Sequence, residues 1–257
     1  MICENCNTAL SNERYCPQCG ARVIRNRLTL KTLFAQLNRE FLSLDNKLIR
    51  TFIDLLIKPQ NVIVGYIEGL RKKYVDAIPY LALSITLLGF QFLIFKEFFP
   101  EVMTTDFTQT GNAQIDEFNA KINEYVFDYL GIITIVTLPI LAFFTYLLFS
   151  GNKNYNFTEH IVMNIYITSQ YTITTALITI VGLSLGLPFT WLITFTSLFS
   201  YGYVIYGFMK IYDMSILNSF FRILLALIMQ ILIITILVFA VGIVYGMLHP
   251  ELFKPIQ

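Results

Sequence analysis

Long runs of apolar residues dominate the chain after residue 76. Five stretches come close to the roughly 20 residues that a helix needs to cross a bilayer. They run from Ala77 to Phe95, from Tyr129 to Phe149, from Ile161 to Val181, from Phe189 to Met209 and from Ile223 to Met247. None of the five contains Lys, Arg, Asp, Glu or His. The pattern predicts an all-α polytopic membrane protein whose membrane domain, residues 77–257, has five transmembrane helices.

The third stretch is the most polar of the five. Asn164, Gln170 and a Ser- and Thr-rich centre over residues 168–175 dilute its hydrophobicity. Polar side chains in transmembrane helices hydrogen-bond between helices more often than they line a pore. We therefore expect this helix to face its neighbours, and we expect the same role for Gln91 and Gln230 in other spans.

Residues 23–76 show a shorter, amphipathic pattern. Apolar residues recur in steps of three and four at Leu30, Phe34, Leu37, Phe41, Leu44 and Leu48. This spacing predicts a helix with one apolar face. A second helix should start near Asn46 and end before Pro59, and a third should start near Asn61. We interpret the region as cytoplasmic or interfacial amphipathic helices. It ends in the basic run Arg71-Lys72-Lys73. This run could bind anionic lipid headgroups, or it could serve only as the positive charge that marks the cytoplasmic side of the first span.

The positive charges determine the orientation. With a cytoplasmic N-terminus, 15 of the 18 Lys and Arg residues lie on the cytoplasmic side, as the positive-inside rule requires. The C-terminus is then periplasmic, and a bacterial inner membrane is the expected location. Residues 96–128 become an acidic external loop with an amphipathic helix from Asn112 to Tyr129. It could bind a periplasmic partner or a cation, but we favour a solvated loop.

Composition agrees with this assignment. Hydrophobic residues make up 56% of the chain and charged residues 14%, and the mean hydropathy is +0.63. These values are typical of membrane proteins rather than of soluble globular ones.

Four cysteines form two C-x-x-C pairs, Cys3 with Cys6 and Cys16 with Cys19. Two such pairs can place four thiolates around one zinc ion. Pro17 and Gly20 are turn residues that suit the second pair. Residues 1–22 are therefore predicted to be a zinc ribbon with one structural, four-thiolate Zn²⁺. Iron is an alternative, and two disulfides are a weaker one, because no apolar signal segment follows Met1 and a cytoplasmic site is reducing.

Catalytic groups are scarce in the predicted spans. The two histidines, His160 and His249, fall on opposite sides of the membrane, and Glu159 beside His160 has no second His to complete a metal motif. We therefore expect no enzymatic activity and no identifiable small-molecule substrate. Nucleic-acid binding by the ribbon is also not expected. Tyr15 is the only aromatic residue near the cysteines, and the acidic Glu4 and Glu13 offset the positive charges of Arg22, Arg25, Arg27 and Lys31.

Two functions from different classes remain. The favoured one is a non-enzymatic accessory, scaffolding or regulatory subunit of a membrane complex, whose partners are the bilayer and another membrane protein. The alternative is a transporter or lipid-handling protein that uses the polar third span.

The order of these features resembles a bacterial family of unassigned function, common in Bacteroidetes, in which a zinc ribbon precedes a Yip1-like multi-span domain. The residues that carry the resemblance are the four cysteines with Pro17 and Gly20, the segments 51–59 and 66–74, and Pro79. The resemblance implies zinc and a multi-span topology with a cytoplasmic N-terminus. It implies no catalytic residues.

Overall fold

The computed structural model describes residues 2, 3, 5–9, 11, 15–20, 47–100, 102, 113–151 and 154–248, and the side chains of 113–124, 127 and 240–248 are outside that description. The chain forms two compact units, Met1–Asn46 and Lys47–Gln257. Most of the predicted amphipathic stripe, Leu30 to Leu44, lies outside the described residues, as do the basic residues Arg22, Arg25, Arg27 and Lys31.

Helices joined by turns and short connections make up the second unit over its described residues, which confirms the predicted all-α class. It contains seven helices, and the first, α1, covers residues 47–57. The others are α2 (Pro59–Ile67), α3 (Ala77–Phe98), α4 (Ala113–Phe149), α5 (Phe157–Ser184), α6 (Phe189–Tyr212) and α7 (Ile216–Leu248).

Four of these helices are long and apolar enough to cross a membrane. The spans are Ala77–Phe98, Asp128–Phe149, Phe189–Tyr212 and Ile216–Phe239, and they correspond to four of the five predicted ones. The predicted third span is present as α5, a helix of 28 residues, but α5 is not one of the four candidate membrane spans. Its amide and hydroxyl side chains lower its hydropathy, so length and composition alone give four candidate spans within the described chain.

Helix α5 is the centre of the bundle and contacts α2, α3, α4 and α6. Its polar residues Asn164, Thr168, Ser169 and Gln170 are buried. The prediction that this helix faces other helices is confirmed. Its start is fixed by a capping box, in which Asn156 accepts from the Glu159 amide at 2.9 Å and the Glu159 carboxylate accepts from the Asn156 amide at 2.7 Å.

Helices α1 and α2 meet at Pro59, where the prediction placed a helix end. Lys58 leaves the helical conformation at φ −140°, because a residue before proline disfavours it. Helix α2 then begins at Pro59 itself, two residues earlier than expected. Helices α1 and α2 belong to the same compact unit as the candidate spans.

Helix α4 differs from the prediction at its N-terminal end. The amphipathic helix expected over residues 112–129 is not separate from the second span, since one helix of 37 residues runs from Ala113 to Phe149. Residues 113–128 are therefore helical, as predicted, but they continue directly into the span. The sequence places no proline between them and the span, so nothing interrupts the backbone hydrogen bonds; Pro139 lies further along, inside the helix.

Candidate metal centre and membrane-embedded polar sites

The four predicted metal ligands are brought together in the first unit. All four Sγ atoms of Cys3, Cys6, Cys16 and Cys19 lie within 4.8 Å of one another. The Sγ atoms of Cys3 and Cys19 are 3.7 Å apart, and those of Cys6 and Cys16 are 3.5 Å apart. A tetrahedral zinc ion with Zn–S bonds of about 2.3 Å needs sulfur atoms about 3.8 Å apart. The cluster therefore fits a four-thiolate metal site.

Each cysteine pair is shaped by the residue that follows it. Asn7 and Gly20 both adopt positive φ, 57° and 71°. The Asn7 amide donates to the Cys3 carbonyl at 2.8 Å, and the Gly20 amide donates to the Cys16 carbonyl at 2.9 Å. The two turns thus match position for position. Gly20 was recognised from the sequence, whereas Asn7 was missed, although Asn is one of the few residues besides Gly that visits this conformation readily.

Thr8 and Gln18 form a second layer around the sulfurs. The Thr8 hydroxyl lies 3.1 Å from the Cys6 sulfur and donates to the side-chain oxygen of Gln18 in the other turn. Hydrogen bonds with the Thr8 side chain and backbone lower the pKa of the Cys6 thiol below its ordinary value. A backbone amide that donates to a thiolate stabilises the charged form that binds metal. Sequence reasoning missed both residues.

A cluster with four sulfur ligands has no open coordination position. Cys3 and Cys16 are buried, and the four thiolates complete a tetrahedron. Sites of this kind hold a fold together, whereas catalytic zinc keeps one position for water or substrate. The arrangement is suited to a structural metal.

A buried polar network joins α4, α5 and α6 around His160. The His160 side chain is fully buried. Its Nε2 lies 2.8 Å from the Tyr212 hydroxyl, and its Nδ1 lies 3.2 Å from the Thr145 hydroxyl. Asn164 donates to the same Thr145 oxygen at 3.0 Å. Both ring nitrogens are occupied by protein hydroxyls, which is the arrangement of a structural histidine. His249 lies outside the described residues.

Three of the four span amides predicted to hydrogen-bond across helices do so, Asn164, Gln170 and Gln230. Gln91 is buried in α3, but it makes no such bond within the described part of the chain. Gln170 accepts from the Tyr80 hydroxyl of α3 and donates to the Phe52 carbonyl of α1 at 3.2 Å. Gln230 of α7 donates to the Thr137 carbonyl of α4 at 3.2 Å. These bonds connect α1, α3, α4, α5 and α7 without any charged group.

A cavity of about 330 Å³ lies between α4, α5, α6 and α7. Nine of its fourteen lining residues carry a hydroxyl or an amide. The polar residues of the third span contribute Asn164 and Thr168 to it, and Gln230 contributes from α7. The sequence indicated these residues, but not that Ser and Thr residues of α4 and α6 would meet them.

The basic segment after α2 is exposed at Arg71, Lys72 and Lys73. The Arg71 guanidinium lies 5.2 Å from the centre of the Tyr66 ring, and the Lys73 Nζ lies 4.8 Å from that of Tyr74. Aromatic faces hold two of the three cations close to the helices.

Comparison with known proteins gives one family. Residues 45–89 match a family model described as a protein of unknown function, DUF3667. The match covers α1, α2, their connection to α3 and the first half of α3. It contains the segments 51–59 and 66–74 and Pro79, which carried the resemblance in the sequence, but neither the cysteines nor the later helices. No curated protein and no solved structure matches the chain.

Proposed function

We propose that the chain is a five-span protein of a bacterial inner membrane, with a cytoplasmic zinc ribbon, that acts as a non-enzymatic accessory or regulatory subunit of a membrane complex. The observation that carries the proposal is the closed four-cysteine cluster in a unit distinct from the membrane helices. Such a module can present a binding surface while the second unit anchors it. The similarity to a family of unknown function covers residues 45–89 and implies no activity.

Zinc is the proposed metal, at one ion per chain. The sulfur separations suit tetrahedral Zn²⁺. Iron can also bind four thiolates, and metal analysis distinguishes the two. A ribbon of this size buries little apolar surface, so metal binding should supply its folding free energy.

The fifth span in this proposal is α5. A helix of 28 residues is about 42 Å long, more than the roughly 30 Å of a bilayer core. It connects the end of α4 to the start of α6, both of which are candidate spans. Its polar residues are tolerated because α3, α4 and α6 cover them. An odd number of spans, together with the positive charges, leaves the N-terminus cytoplasmic and the C-terminus periplasmic.

The absence of catalysis is also part of the proposal. Near the start of α5, His160 is a buried ionisable side chain, and both of its ring nitrogens contact hydroxyls, those of Thr145 and Tyr212. Reactions in a membrane interior need an ionisable group at the reacting centre. The described bundle is better suited to stability and docking than to chemistry.

The test is purification from the source membrane in a mild detergent, with metal analysis and mass spectrometry on the same elution peak. We expect one zinc per chain and a stoichiometric membrane-protein partner. A chain that carries zinc but elutes without a partner contradicts the accessory role. A chain that carries iron or no metal contradicts the zinc assignment.

A further inference from the structure

The cavity between α4, α5, α6 and α7 lies near the middle of the membrane helices. On α6, which runs from Phe189 to Tyr212, its lining residues include Ser197 and Val204. On α7 it reaches Gln230, midway along the span Ile216–Phe239. Polar surface at this depth is costly in contact with lipid. A cavity with so many hydroxyl and amide groups therefore needs a polar occupant.

The occupant must be uncharged. Among the fourteen lining residues there is no Lys, Arg, Asp, Glu or His, so the cavity offers no counter-charge. A buried ion without a partner is strongly unfavourable. Hydroxyls and amides, in contrast, pair well with a ligand that has hydroxyl or carbonyl groups, because they can donate and accept.

Several lining groups still have hydrogen-bonding capacity. Gln230 and Asn164 use their amide nitrogens on Thr137 and on Thr145 and His160. Their amide oxygens have no hydrogen-bond partner in the described part of the chain and can accept from a ligand. The hydroxyls of Ser197 and Tyr201 are likewise not bonded to described protein groups. Two acceptors and two hydroxyls around one space suit a ligand with more than one hydroxyl.

The cavity opens at the side of the bundle. Ser197 is exposed, and Tyr201 is 59% exposed, and both lie in the middle of α6, where the surroundings are lipid. Ligand pockets have volumes of about 300–1,000 Å³, so a space of about 330 Å³ admits a small headgroup rather than a whole lipid. Access from the membrane leaves the chains of a lipid outside.

We propose that this cavity binds one neutral, hydroxyl-bearing molecule, either the glycerol headgroup of an uncharged glycerolipid or a free polyol. The site goes beyond the accessory role and does not depend on it. Apolar residues such as Leu138 and Leu227 in the lining contact the carbon skeleton, while the hydroxyls and amide oxygens hold the polar groups.

The test is titration of the full-length, detergent-solubilised protein, followed by native mass spectrometry. The probes are dioctanoylglycerol, glycerol, and dioctanoyl phosphatidate as a charged comparison. We expect saturable binding of one dioctanoylglycerol per chain. The affinity for the phosphatidate should be lower by a factor of about ten or more. Ser197→Leu and Gln230→Leu should each weaken dioctanoylglycerol binding about tenfold, because each removes a polar group and fills the space.

Thr194→Leu is the matched control. Thr194 is exposed on α6, about one turn from Ser197, and does not line the cavity, so its replacement should leave binding unchanged. Glycerol that binds in place of the lipid, with the same dependence on Ser197 and Gln230, identifies a free polyol as the ligand. If neither dioctanoylglycerol nor glycerol binds saturably, the proposal is wrong. It is also wrong if Ser197→Leu and Gln230→Leu, like the control, leave binding unchanged.

A second measurement uses the unaltered chain, in case a variant fails to fold. A diacylglycerol with a photoreactive diazirine on its headgroup should label residues in 197–204 or 227–230, as identified by peptide mass spectrometry. Labelling confined to other surfaces contradicts the site.

Discussion

The hydroxyl of Tyr203 donates to the carbonyl oxygen of Leu55, 2.9 Å away and 148 positions earlier in the chain. In an uninterrupted helix that carbonyl would accept from the amide four residues later, but the residue there is Pro59, which has no N–H. The buried tyrosine of α6 thus supplies the donor that the proline removes. Three residues later on α6, the Tyr206 hydroxyl donates to the Ile57 carbonyl oxygen at 2.6 Å.

Replacing Tyr203 by Phe should destabilise the bundle by about 1–3 kcal/mol, the usual cost of a buried acceptor without a donor. Tyr206→Phe is the matched control on the same helix. Its hydrogen bond to Ile57 is exposed, so water can replace it and the cost should be smaller. Thermal unfolding in detergent measures both. Equal losses for the two variants would show that the Leu55 carbonyl has another donor or does not need one.

The double variant Cys16→Ser with Cys19→Ser should lose its bound zinc, because two of the four thiolates are removed and hydroxyls are poor zinc ligands. Metal analysis of the purified chain measures the zinc content. Pro17→Ala, between the same two cysteines, serves as the control and should keep one zinc per chain. Retention of a full zinc complement by the double variant would show that the metal is held elsewhere.

Asn7 offers a finer test of the same site. Asn7→Gly should keep the metal affinity, since glycine adopts a φ of 57° without strain. Asn7→Val should weaken zinc binding about tenfold, since a β-branched residue there costs about 1–2 kcal/mol. Competition with a chelator gives the two affinities. If valine binds as tightly as glycine, the turn after Cys6 does not need the left-handed conformation.

The sequence-based predictions succeeded where residue type and spacing decide the structure, and they failed where the folded geometry decides it. The cysteine cluster was predictable because C-x-x-C spacing is local. Gln170 was predictable as a link between helices, but its acceptor, the Phe52 carbonyl, was not, since only the folded bundle brings α1 against α5. Thr8 and Asn7 were missed because their roles depend on turn geometry. The extension of α4 to Ala113 was missed because a charge pattern does not show whether two helical segments are continuous.

Gly182 lies where α5 and α6 approach closely. A Cβ atom there would overlap Leu192 Cδ2, so the leucine side chain must move. Gly182→Ala should therefore destabilise the bundle by about 1–3 kcal/mol through overpacking. At Gly202 of α6 a Cβ would meet nothing within 4 Å, and Gly202→Ala should be neutral or stabilising by up to about 1 kcal/mol.

The Gly182 contact is checked by a double-mutant cycle with Leu192→Ala, followed by thermal unfolding in detergent. If the clash with Leu192 causes the loss, Gly182→Ala should cost less in the Leu192→Ala background. Additive effects would mean that the clash is relieved elsewhere.

His160 gives the last prediction. His160→Phe should destabilise the protein by about 1–3 kcal/mol, because it leaves the hydroxyls of Tyr212 and Thr145 without the ring nitrogens that they contact at 2.8 and 3.2 Å. Glu159→Gln is the adjacent control, since glutamine can keep the capping contact with the Asn156 amide. Because matched apolar replacement of both partners in a buried hydrogen bond is nearly neutral, adding Tyr212→Phe to His160→Phe should recover part of the loss. Thr145 is left unchanged, because its hydroxyl also bonds Asn164 and the Ala142 carbonyl. A double variant less stable than His160→Phe alone would show that the Tyr212 hydroxyl has a partner beyond the histidine.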